Sequence, residues 1–422
     1  MNVQLAYGRS HITVELPADR TTVIEPSHYP GLPDEKSAVL AAVGQPIGAR
    51  PLRDWLKPGA SICINFTDIT RATPNDRIIP WILEYLHAAG VSRDQITLLN
   101  QTGTHRANTR AELEKILTPG IVAGYRVLNH DCEHDADLVA FGTTSDGTPA
   151  LINRHCAHAD VRIITGFIEP HFFAGFSGGP KGIVPGVGGL RTIMSNHGYR
   201  NLLSQNSTFG VTVGNPLWEE LFTIATRVGP SFLLNVTLNE RRAITNVFAG
   251  DLREAHRVGC EFVRKSAMQR VKSPFDVVVT TNSGYPLDLN LYQGVKGMSA
   301  AARIVREGGL IILACECREG VPAGSPLDKL LRSAGSTEEI LAMLATPGFV
   351  RPEQWQAQIQ ALIQRKARVL VHSSLPEEII RGAHLGPCAD ITAAVHAELE
   401  RRGPGSRVAV LPQGPLTIPY LA

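Results

Sequence analysis

Four runs of β-branched and other apolar residues in the second half of the chain constrain its fold most strongly. They are "FDVVVTTNSG", "GGLIILACECREG", "ARVLVHSS" and "RVAVLPQG". Helical patterns lie between and around them, at about 291–306, 325–345, 353–366 and 389–401. Strands that alternate with helices predict a parallel, doubly wound sheet, because a parallel pair needs a crossover connection.

The first half repeats this scheme. "SICINFTD" reads as a buried strand that runs into the polar loop "TDITRATPND", and "IIPWILEYLHAAG" has helical spacing. "QITLLNQTGTHRANT" and "DVRIITGFIEPHFFAG" predict two further strands with polar loops, and Thr109 is a candidate N-cap for the helix "TRAELEKIL". We therefore predict an α/β protein of two lobes, each with a mostly parallel sheet flanked by helices. The C-terminal lobe should be Rossmann-like, with the active site in the cleft between the lobes.

The predicted domain boundary follows a long helical pattern over 253–269, "REAHRVGCEFVRKSAMQ". We place a catalytic domain at 1–272 and an α/β domain at 273–422. The length of 422 residues suits two domains, and 43% apolar residues can form substantial cores.

Composition narrows the choice of partners and compartment. The net charge of +2 is too balanced to favour nucleic acid or an anionic membrane as the main partner. No apolar run has the length of a membrane span, and the N-terminus lacks a signal-type segment. We expect a soluble, cytoplasmic protein. Seven dispersed cysteines argue against a disulfide framework and indicate small buried side chains.

Parallel sheets bind ligands beyond the carboxyl ends of their strands. Polar residues follow the predicted strands of the first half at those ends, and they are Asp68, Thr70, Arg71, Thr104, His105, Arg106, Glu169 and His171. In the second half, Asn282 and Ser283 follow "VVVTT". These loops are the predicted site.

The most glycine-rich segment, Ile168–Arg200, also carries reactive side chains. It is not a Walker A loop, because Lys181 lies between Pro180 and Gly182. It is not a dinucleotide fingerprint either, since Arg191 stands where "GVGGLR" would need its third glycine. Glycines let a backbone approach a bulky ligand. Lys181 is thus a candidate for a phosphate contact, a substrate contact or a covalent attachment.

Three histidines lie in strand-end loops or in the glycine-rich segment: His105, His171 and His197. Histidine exchanges protons near neutral pH and is a frequent ligand of nickel, zinc and copper. Two of the three could act as opposed bases and the third as a metal ligand, but spacing does not assign the roles. The other histidines in regular patterns, among them His256, are interpreted as packing or surface residues.

A second group of candidates opens the helical pattern near 291. Tyr292 and Lys296 are four residues apart and share one helix face, and Gln293 lies beside them. One positive charge with neutral donors is a plausible clamp for a carboxylate. The alternative is an ordinary amphipathic helix start with a solvated lysine.

Together these segments resemble the nickel-pincer nucleotide lactate racemase family, over nearly the whole chain. The resemblance rests on "DITRATP", "GTHR", "PHFFAGFSGGPKGIVPG", "NH" at Asn196–His197 and "LYQGVKG". It implies a racemase or epimerase that inverts the α-carbon of a 2-hydroxy acid. It also implies the family cofactor, a pyridinium-3-thioamide-5-thiocarboxylic acid mononucleotide that holds Ni(II).

The resemblance further implies a role for each matching residue. Lys181 would attach the cofactor covalently, and His197 would complete the nickel coordination. His105 and His171 would be the two acid/base groups on opposite substrate faces, while hydride moves between the α-carbon and the cofactor. The loop formed by Asp68, Ile69, Thr70 and Arg71 would contact the nucleotide. Arg71 would also bind the substrate carboxylate, together with Gln293 and Lys296. Tyr292 and Trp355 would be the aromatic side chains near the cofactor.

Some positions depart from the family pattern. Pro180 stands where a basic residue is usual, and "KGIVPGVGGL" differs from the usual "KSILPGIASY". The 2-hydroxy acid therefore stays open among lactate, malate, longer aliphatic or aromatic acids and sugar acids. Two other functions also stay open, an NAD-dependent 2-hydroxy acid dehydrogenase and a non-catalytic carrier of the cofactor. The racemase reading expects cofactor-maturation proteins as partners.

Overall fold

A computed structural model describes residues 1–421, and contacts divide the chain into two compact units. The central unit comprises His28–His197 and Asn206–Arg264. The terminal unit comprises Met1–Ser27, Gly198–Gln205 and the chain from Lys265 onward. This division differs from a single boundary at 272/273, because the N-terminal segment and a short central segment group with the C-terminal part. The domains 1–272 and 273–422 stay a prediction.

The strands of the described residues are, in chain order, β1 Asn2–Tyr7, β2 Ser10–Glu15, β3 Thr21–Val23, β4 Ile62–Thr67, β5 Ile96–Gln101, β6 Arg126–Asn129, β7 Leu138–Thr143, β8 Pro149–Asn153, β9 Val161–Phe167, β10 Pro170–His171, β11 Gly175–Phe176, β12 Phe232–Leu238, β13 Ile244–Asp251, β14 Met268–Val271, β15 Phe275–Thr281, β16 Val305–Ala314, β17 Ala367–His372, β18 Gly386–Pro387, β19 Val408–Leu411 and β20 Ile418–Leu421.

The helices are α1 Glu35–Gly44, α2 Asn75–Ala88, α3 Arg110–Leu117, α4 Pro119–Gly124, α5 Arg154–Ala157, α6 Leu190–Asn196, α7 Tyr199–Leu202, α8 Pro216–Val228, α9 Glu254–Ala267, α10 Leu291–Ala302, α11 Pro326–Arg332, α12 Thr337–Ala345, α13 Gln354–Lys366, α14 Glu377–Gly382 and α15 Ile391–Arg402. None of the helices within residues 1–421 is both long enough and apolar enough to cross a membrane.

The central unit is built on a six-stranded sheet in the order β13-β12-β9-β4-β5-β6. Only the edge pair β12–β13 is antiparallel, and the other pairs are parallel. Helix α2 buries Ile78, Ile82 and Leu86, spaced four residues apart, in the core that contains Ile64 of β4. The three strands predicted in the first half are β4, β5 and β9, which confirms that part of the fold prediction.

The parallel alignment of β4, β5 and β9 decides where the site lies. Their last residues are Thr67, Gln101 and Phe167. Because neighbouring parallel strands end at one edge of the sheet, the loops that follow them leave from that edge together. Thr109 accepts a hydrogen bond from the backbone N–H of Glu112 and caps α3, as predicted.

The terminal unit contains a second six-stranded sheet, in the order β18-β17-β16-β15-β19-β3, and all of its pairs are parallel. The four strands predicted in the second half are β15, β16, β17 and β19. Alternate residues of β16 face opposite layers: Leu310 and Ile312 join the core beneath α15 and the β1–β2 hairpin, whereas Leu313 packs near Gly297 of α10. The predicted parallel, doubly wound sheet is confirmed.

Three element boundaries differ from the sequence-based prediction. The pattern over 325–345 forms two helices, because the Ser336 side chain accepts from the Glu339 N–H and starts a new helix. The pattern over 291–306 ends earlier, at Ala302, since β16 begins at Val305. Helix α9 ends at Ala267, and the following residues form β14, which pairs in parallel with β20.

Disulfide bonds play no part in the fold. All seven cysteines are free, and six of them are buried. The expectation of small buried side chains without a disulfide framework is confirmed.

Candidate active site

Asp68 and His105 meet at the edge where β4 and β5 end. His105 Nδ1 lies 2.9 Å from Asp68 Oδ2, and Thr70 Oγ1 donates to both carboxylate oxygens of Asp68 at 2.9 and 3.1 Å. The Asp68 side chain is buried, whereas that of His105 is 39% exposed. Since a carboxylate only accepts, His105 carries a proton on Nδ1, and the neutral form of the ring presents Nε2 as an acceptor.

The charge of Asp68 is stabilised by its neighbours. Burial alone would raise its pKa, but the hydrogen bond and charge of His105, together with the charge of Arg71, outweigh burial and lower the pKa below its ordinary value. Arg71 Nη1 also donates to Thr70 Oγ1 at 2.9 Å. The Ile69 N–H donates to Asn108 Oδ1 at 3.2 Å, which fixes the loop backbone. The predicted loop Asp68–Arg71 is thus a single hydrogen-bonded unit with His105.

A cavity of about 110 Å³ in the central unit joins this loop to the glycine-rich segment. Arg71, His105 and Lys181 all line it. Backbone of Gly103, Gly178 and neighbouring glycines forms much of the remaining wall. The structure therefore brings three candidate residues from three different strand-end loops into one pocket.

Lys181 lies in a single 3₁₀ turn, Gly179–Gly182, which buried polar side chains hold in place. Asn235 Oδ1 accepts from the Gly179 N–H at 2.8 Å, and Asn65 Nδ2 donates to the Gly182 carbonyl at 3.0 Å. His256 Nε2 donates to the Ser177 carbonyl at 2.9 Å. Sequence reasoning assigned no role to these three residues. The signal for two of them was present, because an asparagine interrupts the apolar strands "ICINFT" and "FLLNVTL".

The glycines of this turn are required by packing against the protein itself. A Cβ on Gly182 would lie 2.3 Å from Ile164 Cγ2 and 2.8 Å from Gln101 Oε1. A Cβ on Gly179, whose φ is +55°, would lie 2.6 Å from the His256 ring. The sequence suggested that glycines let the backbone approach a ligand. At these two positions they let the turn approach its own sheet and α9.

Phe173 connects Lys181 to the other two candidate histidines. Its ring centroid lies 4.5 Å from that of His171 and 5.0 Å from that of His197, both edge-to-face. Lys181 Nζ lies 5.7 Å from the same centroid. Arg71, His105 and Lys181 are therefore linked through the cavity, and Lys181, His171 and His197 are linked through Phe173, which sequence reasoning passed over.

His171 is oriented by backbone donors. Its Nδ1 accepts from the N–H of Ala174 at 3.2 Å and from that of Phe173 at 3.5 Å. A ring nitrogen that accepts carries no proton, so neutral His171 carries its proton on Nε2. This tautomer is the opposite of that of His105.

His197 is 5% exposed and follows α6 directly. Burial, together with the nearby positive charge of Lys181, lowers its pKa to about 3. A neutral imidazole is the form that binds a metal. Within residues 1–421, no group of three or more histidine, cysteine or acidic side chains is placed to hold a metal ion.

The terminal unit holds the remaining candidates. Tyr292, Gln293 and Lys296 lie in the first turns of α10, whose N-cap is Asn290. Trp355 is buried in α13, and its Nε1 donates to Tyr292 Oη at 3.1 Å. The two aromatic candidates are thus joined by a hydrogen bond, although they are far apart in the sequence.

Comparison with known proteins covers almost the whole chain. The family model for the lactate racemase N-terminal domain matches residues 7–210, and the model for the lactate racemase C-terminal domain matches residues 270–418. A lactate racemase of Thermoanaerobacterium thermosaccharolyticum is 32% identical over 420 residues, which is 98% of each chain. A lactate racemase of Lactiplantibacillus plantarum is 33% identical over 419 residues, again 98% of each chain.

Solved structures give the same result. The lactate racemase apoprotein from Thermoanaerobacterium thermosaccharolyticum superposes with a TM-score of 0.93 and 31% identity, over 99% of this chain and 100% of that one. A protein from Thermotoga maritima superposes with a TM-score of 0.69 and 19% identity over 93% of this chain and 100% of that one, and it shares the fold.

Proposed function

The chain belongs to the lactate racemase family and is an isomerase, and from that membership we propose that it inverts the α-carbon of lactate or a related 2-hydroxy acid. One observation carries the proposal: Arg71, His105 and Lys181 line one cavity. A cation, a base and a candidate attachment point are the parts that this reaction needs on one wall. The family assignment disfavours the NAD-dependent dehydrogenase.

The donor set of the central unit fits a cofactor that brings most of its own metal ligands. His197 is a neutral, buried nitrogen donor, and the described residues offer no cluster of three acidic, cysteine or histidine side chains. Lys181 lies close enough to His197 to affect its pKa, so one nucleotide could engage both. We propose that Lys181 attaches the nickel-pincer nucleotide and that His197 is the protein ligand of its nickel. When bound, this group would supply a reversible hydride acceptor for the α-carbon of the substrate.

The two histidine tautomers support a division of labour in proton transfer. His105 presents an unprotonated Nε2, since Asp68 takes the hydrogen bond of Nδ1. His171 presents a protonated Nε2, since Ala174 donates to Nδ1. We propose that His105 accepts the substrate hydroxyl proton in one direction while His171 donates one, and that these roles exchange in the reverse direction. Inversion requires that the hydride return to the opposite face of the planar 2-keto acid, and a histidine on each side can then exchange the hydroxyl proton in either orientation.

Recognition of the substrate carboxylate is assigned to three residues that carry positive or neutral donors: Arg71, Gln293 and Lys296. Arg71 already lines the cavity with His105. Tyr292 and Trp355 are proposed as the aromatic contacts of the cofactor, and their mutual hydrogen bond would keep both rings in a defined orientation. The Asp68–Arg71 loop is proposed to contact the nucleotide as well.

The test is to produce the chain together with cofactor-maturation proteins and to measure intact mass, nickel content and racemisation of a panel of 2-hydroxy acids. We expect a mass adduct on a peptide that contains Lys181, nearly one nickel per chain and racemisation of lactate or of another acid in the panel. Lys181→Arg keeps the positive charge and should lose the adduct.

Each alternative predicts a different result. Nickel without an adduct would contradict attachment through Lys181. An adduct with nickel but no racemisation of any acid would favour the cofactor carrier. Absence of both adduct and nickel, with maturation proteins shown to be active on a known relative, would contradict the proposed cofactor.

A further inference from the structure

A second cavity in the central unit has no role in the proposed reaction. Its volume is about 420 Å³, and it shares no lining residue with the cavity that contains Lys181. Small-molecule sites have volumes of about 300–1,000 Å³. Residues from the loop before α8, from α8 and from α9 line it: Gly210, Val211, Thr212, Val213, Trp218, Arg253, Glu254, His256, Arg257, Cys260, Glu261 and Arg264.

Three arginines line this cavity: Arg253 lies in the turn before α9, and Arg257 and Arg264 lie on α9. Arg257 and Arg264 are seven residues apart, which places them on one face of the helix. Arg257 is neutralised by ion pairs with Glu254 and Glu261, at 3.2 and 2.6 Å. Neither Arg253 nor Arg264 forms an ion pair with any carboxylate in the described part of the chain. Arg253 instead packs over the Phe222 ring at 3.9 Å, and Arg264 donates one hydrogen bond to the Gly210 carbonyl at 2.8 Å. No carboxylate therefore neutralises the charge of either group.

One residue of the cavity wall has a buried hydrogen-bond donor without an acceptor. Trp218 is 6% exposed, and its indole Nε1 has no acceptor among residues 1–421. A buried N–H without an acceptor loses its hydrogen bond to water, so such groups are rare in native proteins unless a ligand or water completes them. Since Trp218 lines the cavity, an acceptor atom of a bound molecule could satisfy its N–H.

The balance of charges limits the ligand to a weakly charged anion. Three arginines and two glutamates line the cavity, which leaves one positive charge in excess. The rest of the wall includes the apolar side chains of Val211, Val213 and Cys260. A phosphate dianion would suffer repulsion from the two glutamates, whereas a single carboxylate matches the excess charge and an arginine fork.

We propose that this cavity is a second binding site, which takes a small organic carboxylate with an apolar body. The carboxylate would lie between Arg253 or Arg264 and the indole N–H of Trp218, and the apolar body would contact the valine side chains. The proposal is independent of the racemase reaction, because it involves none of the residues assigned to that site. His256, which also lines the cavity, packs behind the turn that carries Lys181.

The test uses benzoate as the probe and the full chain as purified. Calorimetry measures affinity, and the indole N–H resonances of the four tryptophans show where the probe binds. Benzoate should shift the Trp218 resonance, and the neutral amide benzamide should not. Trp218→Phe keeps an aromatic ring and removes the donor, and Arg264→Gln removes one cation that no carboxylate neutralises. Each variant should weaken this binding event about tenfold or more, by analogy with hydrogen bonds to charged groups.

Two controls separate this site from others. Arg241→Gln removes the same charge from an exposed turn between β12 and β13 and should bind benzoate like the unmodified chain. Arg71→Gln alters the proposed substrate site and should leave the shift of Trp218 intact. Unchanged affinity in both Trp218→Phe and Arg264→Gln would overturn the proposal. Equal binding of benzamide would overturn the anionic character of the ligand.

Discussion

His105 donates from Nδ1 to the buried carboxylate of Asp68 at 2.9 Å, across the loops that follow two neighbouring parallel strands. This contact orients the imidazole and selects its tautomer. A base that must accept a proton on Nε2 needs such a partner, because the isolated ring populates both tautomers. Asp68 is therefore proposed as a positioning residue for His105, in addition to its predicted contact with the nucleotide.

Asp68→Asn should reduce kcat about 10²-fold or more, because the amide can donate to Nδ1 and favour the wrong tautomer. Asp68→Glu keeps the carboxylate and should recover part of the activity. Asp76→Asn, an exposed change in the first turn of α2, is the matched control and should leave kcat unchanged. Chiral assay at saturating substrate makes the measurement. Full activity in Asp68→Asn would contradict the positioning role.

His105→Gln and His171→Gln should both abolish racemisation in both directions, because each residue serves as acid in one direction and as base in the other. Neither variant should lose nickel or the adduct on Lys181. His197→Gln should lose nickel instead, since it removes the proposed ligand. Nickel analysis beside assays from each enantiomer checks this prediction. Loss of nickel in His105→Gln would contradict the division of roles.

Stability should fall as the solution is acidified, owing to two buried histidines. Burial lowers the pKa of His256 to about 4 and that of His197 to about 3, from an ordinary value of 6.5. Between the lowered pKa of each histidine and its ordinary value of 6.5, the histidine is protonated in the unfolded chain but neutral in the folded chain. The free energy of unfolding is therefore highest above pH 6.5 and decreases below it, with a slope approaching about 1.4 kcal/mol per pH unit for each histidine.

Urea unfolding of apoprotein from pH 7 to pH 4.5 measures this slope. His256→Gln should reduce the slope of unfolding free energy against pH by up to about 1.4 kcal/mol per pH unit, the contribution of one proton, whatever its effect on stability at pH 7. His11→Gln, on an exposed position of β2, should leave the slope unchanged. An identical slope in His256→Gln and the unmodified chain would show that His256 is not buried in its neutral form.

Gly182→Ala should destabilise the turn that carries Lys181 by about 1–3 kcal/mol, because its Cβ would collide with Ile164 and Gln101. Incomplete adduct formation on Lys181 should accompany this loss. Gly120→Ala, where nothing lies within 4 Å of the added Cβ, is the control. Urea unfolding and intact mass measure the two effects. Equal stability of the Gly182 and Gly120 variants would mean that the turn has room to move.

Local patterns predicted much of the fold. The β-branched runs became β15, β16, β17 and β19, and Thr109 caps α3, because strand periodicity and capping depend on neighbours within a few residues. Helix ends were less predictable. The cap at Ser336 divides one long helical pattern into two helices. The apolar periodicity along the chain does not distinguish a helix that ends and is capped anew from one that runs on.

The candidate site was only partly predictable. Strand-end loops and the resemblance indicated His105, His171, Lys181 and His197, and their catalytic roles remain predictions. Phe173 and His256 were missed because each looks like an ordinary core residue when read along the chain. Asn65 and Asn235 interrupt apolar strands, but nothing in the sequence indicated that they hold the Lys181 turn. Their function follows from partners that are tens of residues away in sequence.

The sequence by itself determined that this is an α/β chain with parallel sheets, with its polar and reactive residues on strand-end loops and a glycine-rich segment. Only the tertiary structure decided that β3 completes the terminal sheet, that Asp68 selects the tautomer of His105, and that glycines allow the Lys181 turn to pack on its own sheet. The physical reason is the distance along the sequence over which each kind of interaction acts. Propensity and periodicity act between near neighbours, whereas tautomers, burial and pKa values depend on groups that folding alone brings together.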